Sequence, residues 1–218
     1  MRKFVIGDIH GCYEDLQELL GKIKPDLRKD KIIFLGDYID RGKDSYSVIK
    51  LLKGLQEKHG KNHIVLLRGN HEQMAIDNIE GGYYRSFNGF DTTVRDFKRN
   101  NESIADYLDF FQSLPLYHED EDFIYVHGGI KPGVSIDQQS ESDLLWIREE
   151  FYDSKTSFEK PVIFGHTPTH HLTGAWVPFI KEDRVGIDTG CVYGGHLTAI
   201  EIRSGQIVDI YESNRIAA

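Results

Sequence analysis

Five short apolar runs in this chain each stop beside a glycine and hand over at once to carboxylate, imidazole or amide side chains. Residues 4–6 lead into Gly7-Asp8-Ile9-His10-Gly11, residues 32–35 into Gly36-Asp37, and residues 64–67 into Arg68-Gly69-Asn70-His71-Glu72. Residues 123–126 lead into His127-Gly128-Gly129, and residues 161–164 into Gly165-His166-Thr167-Pro168. Short unbroken apolar runs suit strands buried on both faces, as in parallel sheets. Open α/β sheets carry their chemistry just beyond the C-terminal ends of such strands. The repetition therefore constrains fold and site together.

Between the runs the periodicity changes from 2 to 3.6. Leu16, Leu19, Leu20 and Ile23 are spaced for one helix face and stop before Pro25. Strand, helix and strand then make a βαβ unit with a parallel sheet. Asp44-Ser45 can cap a second helix, with Val48, Leu51, Leu52 and Leu55 inside and Gly60 near its end. Ile104, Tyr107, Leu108 and Phe111 predict a third, closed by Pro115, and residues 143–151 a fourth that carries Trp146 and Arg148. Residues 80–101 lack strong periodicity and read as an irregular surface excursion, where Tyr83, Tyr84 and Phe87 could wall a groove or cover the core. From residue 176 onward, segments 176–180, 184–187, 197–202 and 206–211 are short and β-rich, and read as a meander. The expected architecture is α/β (α+β): two mixed β-sheets packed as a central sandwich flanked by helices, one domain over residues 1–218.

At 218 residues, with 39% hydrophobic and 28% charged side chains, the chain suits a soluble globular protein with one sizeable core. No apolar run approaches the roughly 20 residues that span a bilayer. The N-terminal apolar run is too short for a secretory signal and enters a motif directly, so a cytoplasmic location and no membrane partner are expected. The net charge of −9 argues against nucleic acid held on a basic face. It does not argue against phosphate substrates, because bound divalent cations would dominate the local field. Cys12 and Cys191 have no CxxC spacing and are expected to be small buried residues in a reducing compartment.

Asp8, His10, Asp37, Asn70, His127 and His166 all follow apolar strands. Asp8 and His10, at i and i+2, would share one face of extended backbone. Oxygen and imidazole donors suit manganese, iron or zinc, and the lack of cysteine in the set argues against a closed structural zinc site. Six candidate ligands exceed what one ion needs, so two ions sharing a carboxylate is the economical reading. Such pairs sit ~3.5–4 Å apart and clamp the attacking and leaving oxygens in phosphoryl transfer. Any one of these residues alone would equally serve as a core or surface hydrogen bonder.

Gly-Asp-Ile-His-Gly at 7–11, Gly-Asp-Tyr-Ile-Asp-Arg-Gly at 36–42 and Gly-Asn-His-Glu at 69–72 together resemble the signature of the phosphoprotein phosphatases, calcineurin-like two-metal phosphoesterases. His127-Gly128-Gly129 and Gly165-His166-Thr167-Pro168 match the family's two later histidine motifs in the right order. The compact length and Asp188-Thr189-Gly190 with Gly194-Gly195 look most like its bacterial and phage branch. The resemblance implies the calcineurin-like metallophosphoesterase fold. It places Asp8, His10 and Asp37 on a first ion and Asp37, Asn70, His127 and His166 on a second, with manganese favoured. Arg41 and Arg148, with Asn70, would hold phosphate oxygens; Arg148 lies in the looser motif Leu-Leu-Trp-Ile-Arg, where a helix-surface salt bridge is a rival role. His71 would be the general acid, positioned by Asp40. The implied reaction is phosphomonoester hydrolysis by direct attack of a hydroxide bridging two metal ions, with no phosphoenzyme.

The complete Asp40–His71 pair favours an alkyl leaving group, hence a serine/threonine protein phosphatase acting on a phosphorylated protein or small phosphoester. The alternative is a symmetrical dinucleoside tetraphosphate hydrolase, whose C-terminal stretch Gly190-Cys191-Val192-Tyr193-Gly194-Gly195 resembles. That enzyme typically lacks the carboxylate at position 40 and has Asp where this chain has Glu72. A binding scaffold on the same fold would usually have lost ligands or the acid, and none is missing. His170, His171 and His196 read as loop histidines, exposed or hydrogen-bonded.

Overall fold

The computed structural model describes residues 1–82 and 88–214. Strands β1 (Lys3–Ile6), β2 (Lys31–Phe34) and β3 (Ile64–Leu66) run parallel, connected by α1 (Tyr13–Ile23) and α2 (Ser45–His59). A second sheet contains β4 (Tyr117–Glu119), β5 (Ile124–Val126), β6 (Val162–Phe164), β7 (Phe179–Ile180) and β8 (Arg184–Gly186), in the order β4-β5-β6-β8-β7. Its three inner strands are parallel and both edge strands antiparallel. β9 (Thr198–Arg203) and β10 (Gln206–Glu212) return to the first sheet, whose order is β10-β9-β1-β2-β3. The two mixed sheets with flanking helices are the sandwich expected from the sequence.

The period-2 geometry of a strand divides each apolar run between two cores. Val5, Ile33 and Val65 meet Tyr125, Ile163 and Val185 between the sheets. Their neighbours Phe4, Ile6, Ile32, Phe34, Ile64 and Leu66 pack outward against Leu16, Leu19, Val48 and Leu52 of α1 and α2. On the far side Val126, Val162 and Phe164 pack against Leu144 and Phe151. Being covered on both faces is why the runs show no polar alternation.

Several elements differ from the sequence reading. The last four strands do not form one meander: β7 and β8 complete the second sheet, while β9 crosses back to pair with β1. Ile200 and Ile202 of β9 join the inter-sheet core and Ala199 the opposite one, so this strand can be satisfied only on the first sheet. Gly69-Asn70-His71-Glu72, given no helix in the sequence reading, form the cap and first turn of α3 (Asn70–Glu80). Within residues 80–101, taken as irregular, α4 (Phe90–Arg99) buries Phe90, Thr93 and Phe97, three and four residues apart, in an otherwise polar segment. Tyr83, Tyr84 and Phe87 lie outside the described residues. The helix expected around 104–111 is a 3₁₀ turn (Ile104–Tyr107) followed by α5 (Leu108–Gln112). Residues 143–151 divide into α6 (Glu141–Trp146) and α7 (Glu149–Tyr152). The strand expected at 176–180 contracts to β7, leaving Trp176 in the connection after α8 (Thr169–Thr173). Among the described residues no helix is long and apolar enough to cross a membrane.

Candidate active site

Because β1, β2 and β3 are parallel, as are β5 and β6, the polar residues after each strand emerge at one edge of the sandwich. Asp37 lies at their centre. Its Oδ2 is 3.3 Å from His10 Nε2 and 3.8 Å from His71 Nε2, and its Oδ1 is 3.3 Å from His127 Nε2. Two groups of donors with metal-ligand spacing result, His10–Asp37–His71 and Asp37–His127–His166, each with its atoms within 4.8 Å of one another and all buried. Asn70 Oδ1 sits 2.8 Å from His127 Nε2 and 2.9 Å from His166 Nδ1. Asp37, the carboxylate expected to be shared, is common to both groups of donors.

Two details differ from expectation. Asp8 and His10 do not share an extended segment, because His10 has φ +47° and occupies a turn. Asp8 falls outside both groups, its carboxylate accepting the His166 backbone N–H at 3.2 and 3.1 Å, while His71 lies within 4.8 Å of His10 and Asp37. Asp8 remains electrostatically coupled to Asp37 and to Asp188, a buried carboxylate that the sequence reading left without a role. Asp188 follows the C-terminal end of β8, the same strand-end position as the other candidates, and that placement was the available signal.

The imidazoles are oriented from behind. His10 Nδ1 donates to the Ile39 carbonyl at 2.8 Å and His127 Nδ1 to the Leu35 carbonyl at 3.0 Å. Each bond leaves the Nε2 lone pair facing Asp37, the arrangement that fixes histidine ligands in metal sites. His71 Nε2 and His166 Nε2 are buried without a hydrogen-bond partner, although unsatisfied buried polar atoms are rare.

The charges point to cations. Burial, reinforced by the Asp188 and Asp37 carboxylates, pushes Asp8 well above the usual carboxylate range. Burial likewise raises Asp188, and it lowers His127 to about 4 and His166 well below the ordinary histidine value. Burial alone would also raise Asp37, but the His127, His71 and His10 imidazoles hold it well below normal. Crowded carboxylates that repel one another, beside imidazoles that stay neutral and keep their lone pairs, are a favourable set for divalent cations. The donors present therefore fit two such ions.

Around this centre, His71 Nδ1 and Asp40 Oδ2 are 2.6 Å apart and both side chains are fully buried. Asp40 Oδ1 also accepts the Thr93 hydroxyl at 2.7 Å. Arg41 reaches His10 Nε2 and lies 5.5 Å over the Tyr193 ring. The break between α6 and α7 leaves Arg148 outside helical geometry, with its Nη1 donating to Thr167 Oγ1 at 3.1 Å rather than lying along a helix surface. Arg41, Arg148, Asn70, Asp37 and Asp188 line one cavity of about 170 Å³. Glu72, fully buried, accepts the backbone N–H groups of Asp37, Tyr38 and Gly69 at 2.8–2.9 Å and so ties α3 to the Asp37 turn; burial and the Asp37 charge raise it to about 8. His170 and His171 are exposed on α8, and His196 is half-buried, its Nδ1 donating to the Ser213 carbonyl at 2.8 Å. Cys12 and Cys191 are half-buried rather than enclosed, side by side near Asp15.

The backbone here is strained. Of the nine non-glycine residues with positive φ among the described residues, five are His10, Asp37, Asp40, Arg41 and His166. Such conformations cost ~1–3 kcal/mol each and persist where the surroundings enforce them, often at functional sites. Gly165 shows the enforcement: a Cβ there would collide with the Asp8 carboxylate, so only glycine lets β6 deliver His166 beside Asp8.

A family model described as calcineurin-like phosphoesterase matches residues 1–198. A bis(5'-nucleosyl)-tetraphosphatase PrpE [asymmetrical] from Halalkalibacterium halodurans is 28% identical over 94% of this chain and 92% of its own. A symmetrical bis(5'-nucleosyl)-tetraphosphatase from Dechloromonas aromatica is 24% identical over 96% of each. Among solved structures, a candidate diadenosine tetraphosphatase superposes with a TM-score of 0.74 at 22% identity, over 97% of this chain and 93% of that one, a likeness of fold.

Proposed function

The chain belongs to the calcineurin-like phosphoesterase family, and from that premise we propose that it is a metal-dependent hydrolase of dinucleoside polyphosphates. The observation that carries the substrate class is the near full-length similarity, in both directions, to proteins named bis(5'-nucleosyl)-tetraphosphatases. In this reading Asp8, His10 and Asp37 hold one divalent ion, and Asp37, Asn70, His127 and His166 the other. When bound, the two ions lower the pKa of water and screen the phosphoryl charge. Arg41 and Arg148 orient the phosphate chain with their forked donors, Asn70 contributing a third contact. Water supplies the oxygen that bonds to phosphorus, and the bond from phosphorus to the leaving oxygen breaks. His71 Nε2, otherwise unpartnered, holds the proton that this oxygen takes up, and Asp40 fixes the ring from the opposite nitrogen.

That last contact favours a second reading. A nucleotide leaves as a stabilised phosphate anion, whereas a serine or threonine alkoxide needs a proton, so the buried Asp40–His71 pair suits a serine/threonine phosphatase equally well. Initial rates with manganese on diadenosine tetraphosphate and on a phosphoserine peptide decide between them. Faster cleavage of the dinucleotide is expected, and faster cleavage of the peptide would overturn the proposal.

A further inference from the structure

We propose that the cavity beside the catalytic centre is a nucleobase subsite with Trp176 as its stacking platform and Tyr193 and His170 as its flanks. The inference rests on the dinucleoside polyphosphate reading and adds where one base of that substrate sits. The cavity encloses about 710 Å³, within the ~300–1,000 Å³ typical of small-ligand sites. It is continuous with the catalytic cavity, because Arg148, Pro168 and Tyr193 line both. A substrate whose phosphates are gripped by Arg41 and Arg148 can therefore extend a nucleoside into it, past Arg148.

The wall it meets there is aromatic. The Trp176 and Tyr193 rings lie nearly parallel, 14° apart in plane with centroids 6.4 Å apart, and His170 lies 5.0 Å from Trp176. Aromatic faces of this kind bind bases with little sequence preference, because every base has a π face. The platform is held in place from behind: Gly190, with φ +69°, packs where a Cβ would strike the Trp176 ring. Tyr193 in turn carries the Arg41 guanidinium 5.5 Å above its ring, which connects the stacking wall to the phosphate clamp. Tyr193 is nonetheless 50% exposed, a large aromatic without full cover. A peptide side chain could also pack there, but it would not need parallel aromatic faces reached by way of two arginines.

The test compares metal-loaded wild type, W176A and W176F on diadenosine tetraphosphate and on p-nitrophenyl phosphate, which has no base. In W176A the ratio of kcat/KM for the dinucleotide over that for p-nitrophenyl phosphate is expected to fall about tenfold, through KM rather than kcat, and W176F is expected to restore most of it. Equal losses on both substrates, or an unchanged KM for the dinucleotide, would overturn the subsite and leave the functional reading standing. Failure of wild type to cleave the dinucleotide while it cleaves p-nitrophenyl phosphate would remove the functional reading, and the subsite with it. An independent readout needs no metal: W146F leaves Trp176 as the single tryptophan, and adenosine should quench its fluorescence saturably. Absence of quenching would count against the platform.

Discussion

Asp40→Asn isolates what a buried charge contributes without changing shape. In the native arrangement Asp40 Oδ2 lies 2.6 Å from His71 Nδ1, and Oδ1 accepts the Thr93 hydroxyl at 2.7 Å. The amide can keep its oxygen toward His71 and turn its NH₂ toward Thr93, whose own proton can then go to Ser45 Oγ at 3.2 Å. What disappears is the negative charge behind the imidazole that donates the proton. With charge centres roughly 4 Å apart and an effective dielectric of about 20, that pairing contributes ~4 kcal/mol. The neutral hydrogen bond that remains keeps about 1 kcal/mol. The net loss of ~3 kcal/mol corresponds to roughly 10²-fold in rate, inside the ~10²–10⁴ that general acid catalysis supplies. The loss should scale with how much the leaving oxygen needs a proton. In kcat measured across phosphomonoesters, alkyl substrates should slow by roughly 10²-fold and p-nitrophenyl phosphate by less than about tenfold. A uniform loss across the series, with metal content intact, would refute the role given to this pair.

The metal-free protein should lose stability as pH rises from about 6.5 to above 8, read as a falling thermal midpoint, because below that range the lowered His127 and His166 oppose the trend. Burial raises Glu72 to about 8, and raises Asp8 and Asp188 as well, above their unfolded values. A raised group contributes stability that is fully present below its unfolded pKa and lost as pH rises through its folded one. Each kcal/mol should appear as roughly 2–4 °C, and metal loading should flatten the dependence. A midpoint that rises between about pH 7 and 8.5 would contradict the electrostatics described for the site. Gly165→Ala should displace the Asp8 carboxylate, lowering metal content measured by mass spectrometry while far-UV circular dichroism stays unchanged. Full metal content in that variant would show that Asp8 can move without consequence.

Much of this site was legible because its residues obey a local rule: an apolar strand, then a ligand with glycine beside it. That rule needs only the neighbours of each residue, so Asp37, Asn70, His127 and His166 could be named in advance. Asp188 also follows a strand, but β8 begins with a charged Arg184 and Ile187 separates Gly186 from the carboxylate, so the pattern is less plain there. The helix α4 was hidden because its burial rests on Phe90, Thr93 and Phe97 among charged residues, and the polar Thr93 finds its partners in Asp40 and Ser45, far away in sequence.

By itself, then, the chain's pattern of apolar runs and strand-end side chains determined the layered architecture, the family and the set of candidate ligands, since periodicity and backbone turning are properties of neighbouring residues. Only the tertiary structure decided which groups touch. His166 meets Asp8 across 158 residues of sequence, Asp40 lies behind His71, Arg148 leaves its helix for Thr167, and Trp176 comes to lie parallel to Tyr193. Those contacts depend on how two sheets, each with its own parallel strands, are brought face to face by burying one shared apolar core. No local pattern encodes that alignment.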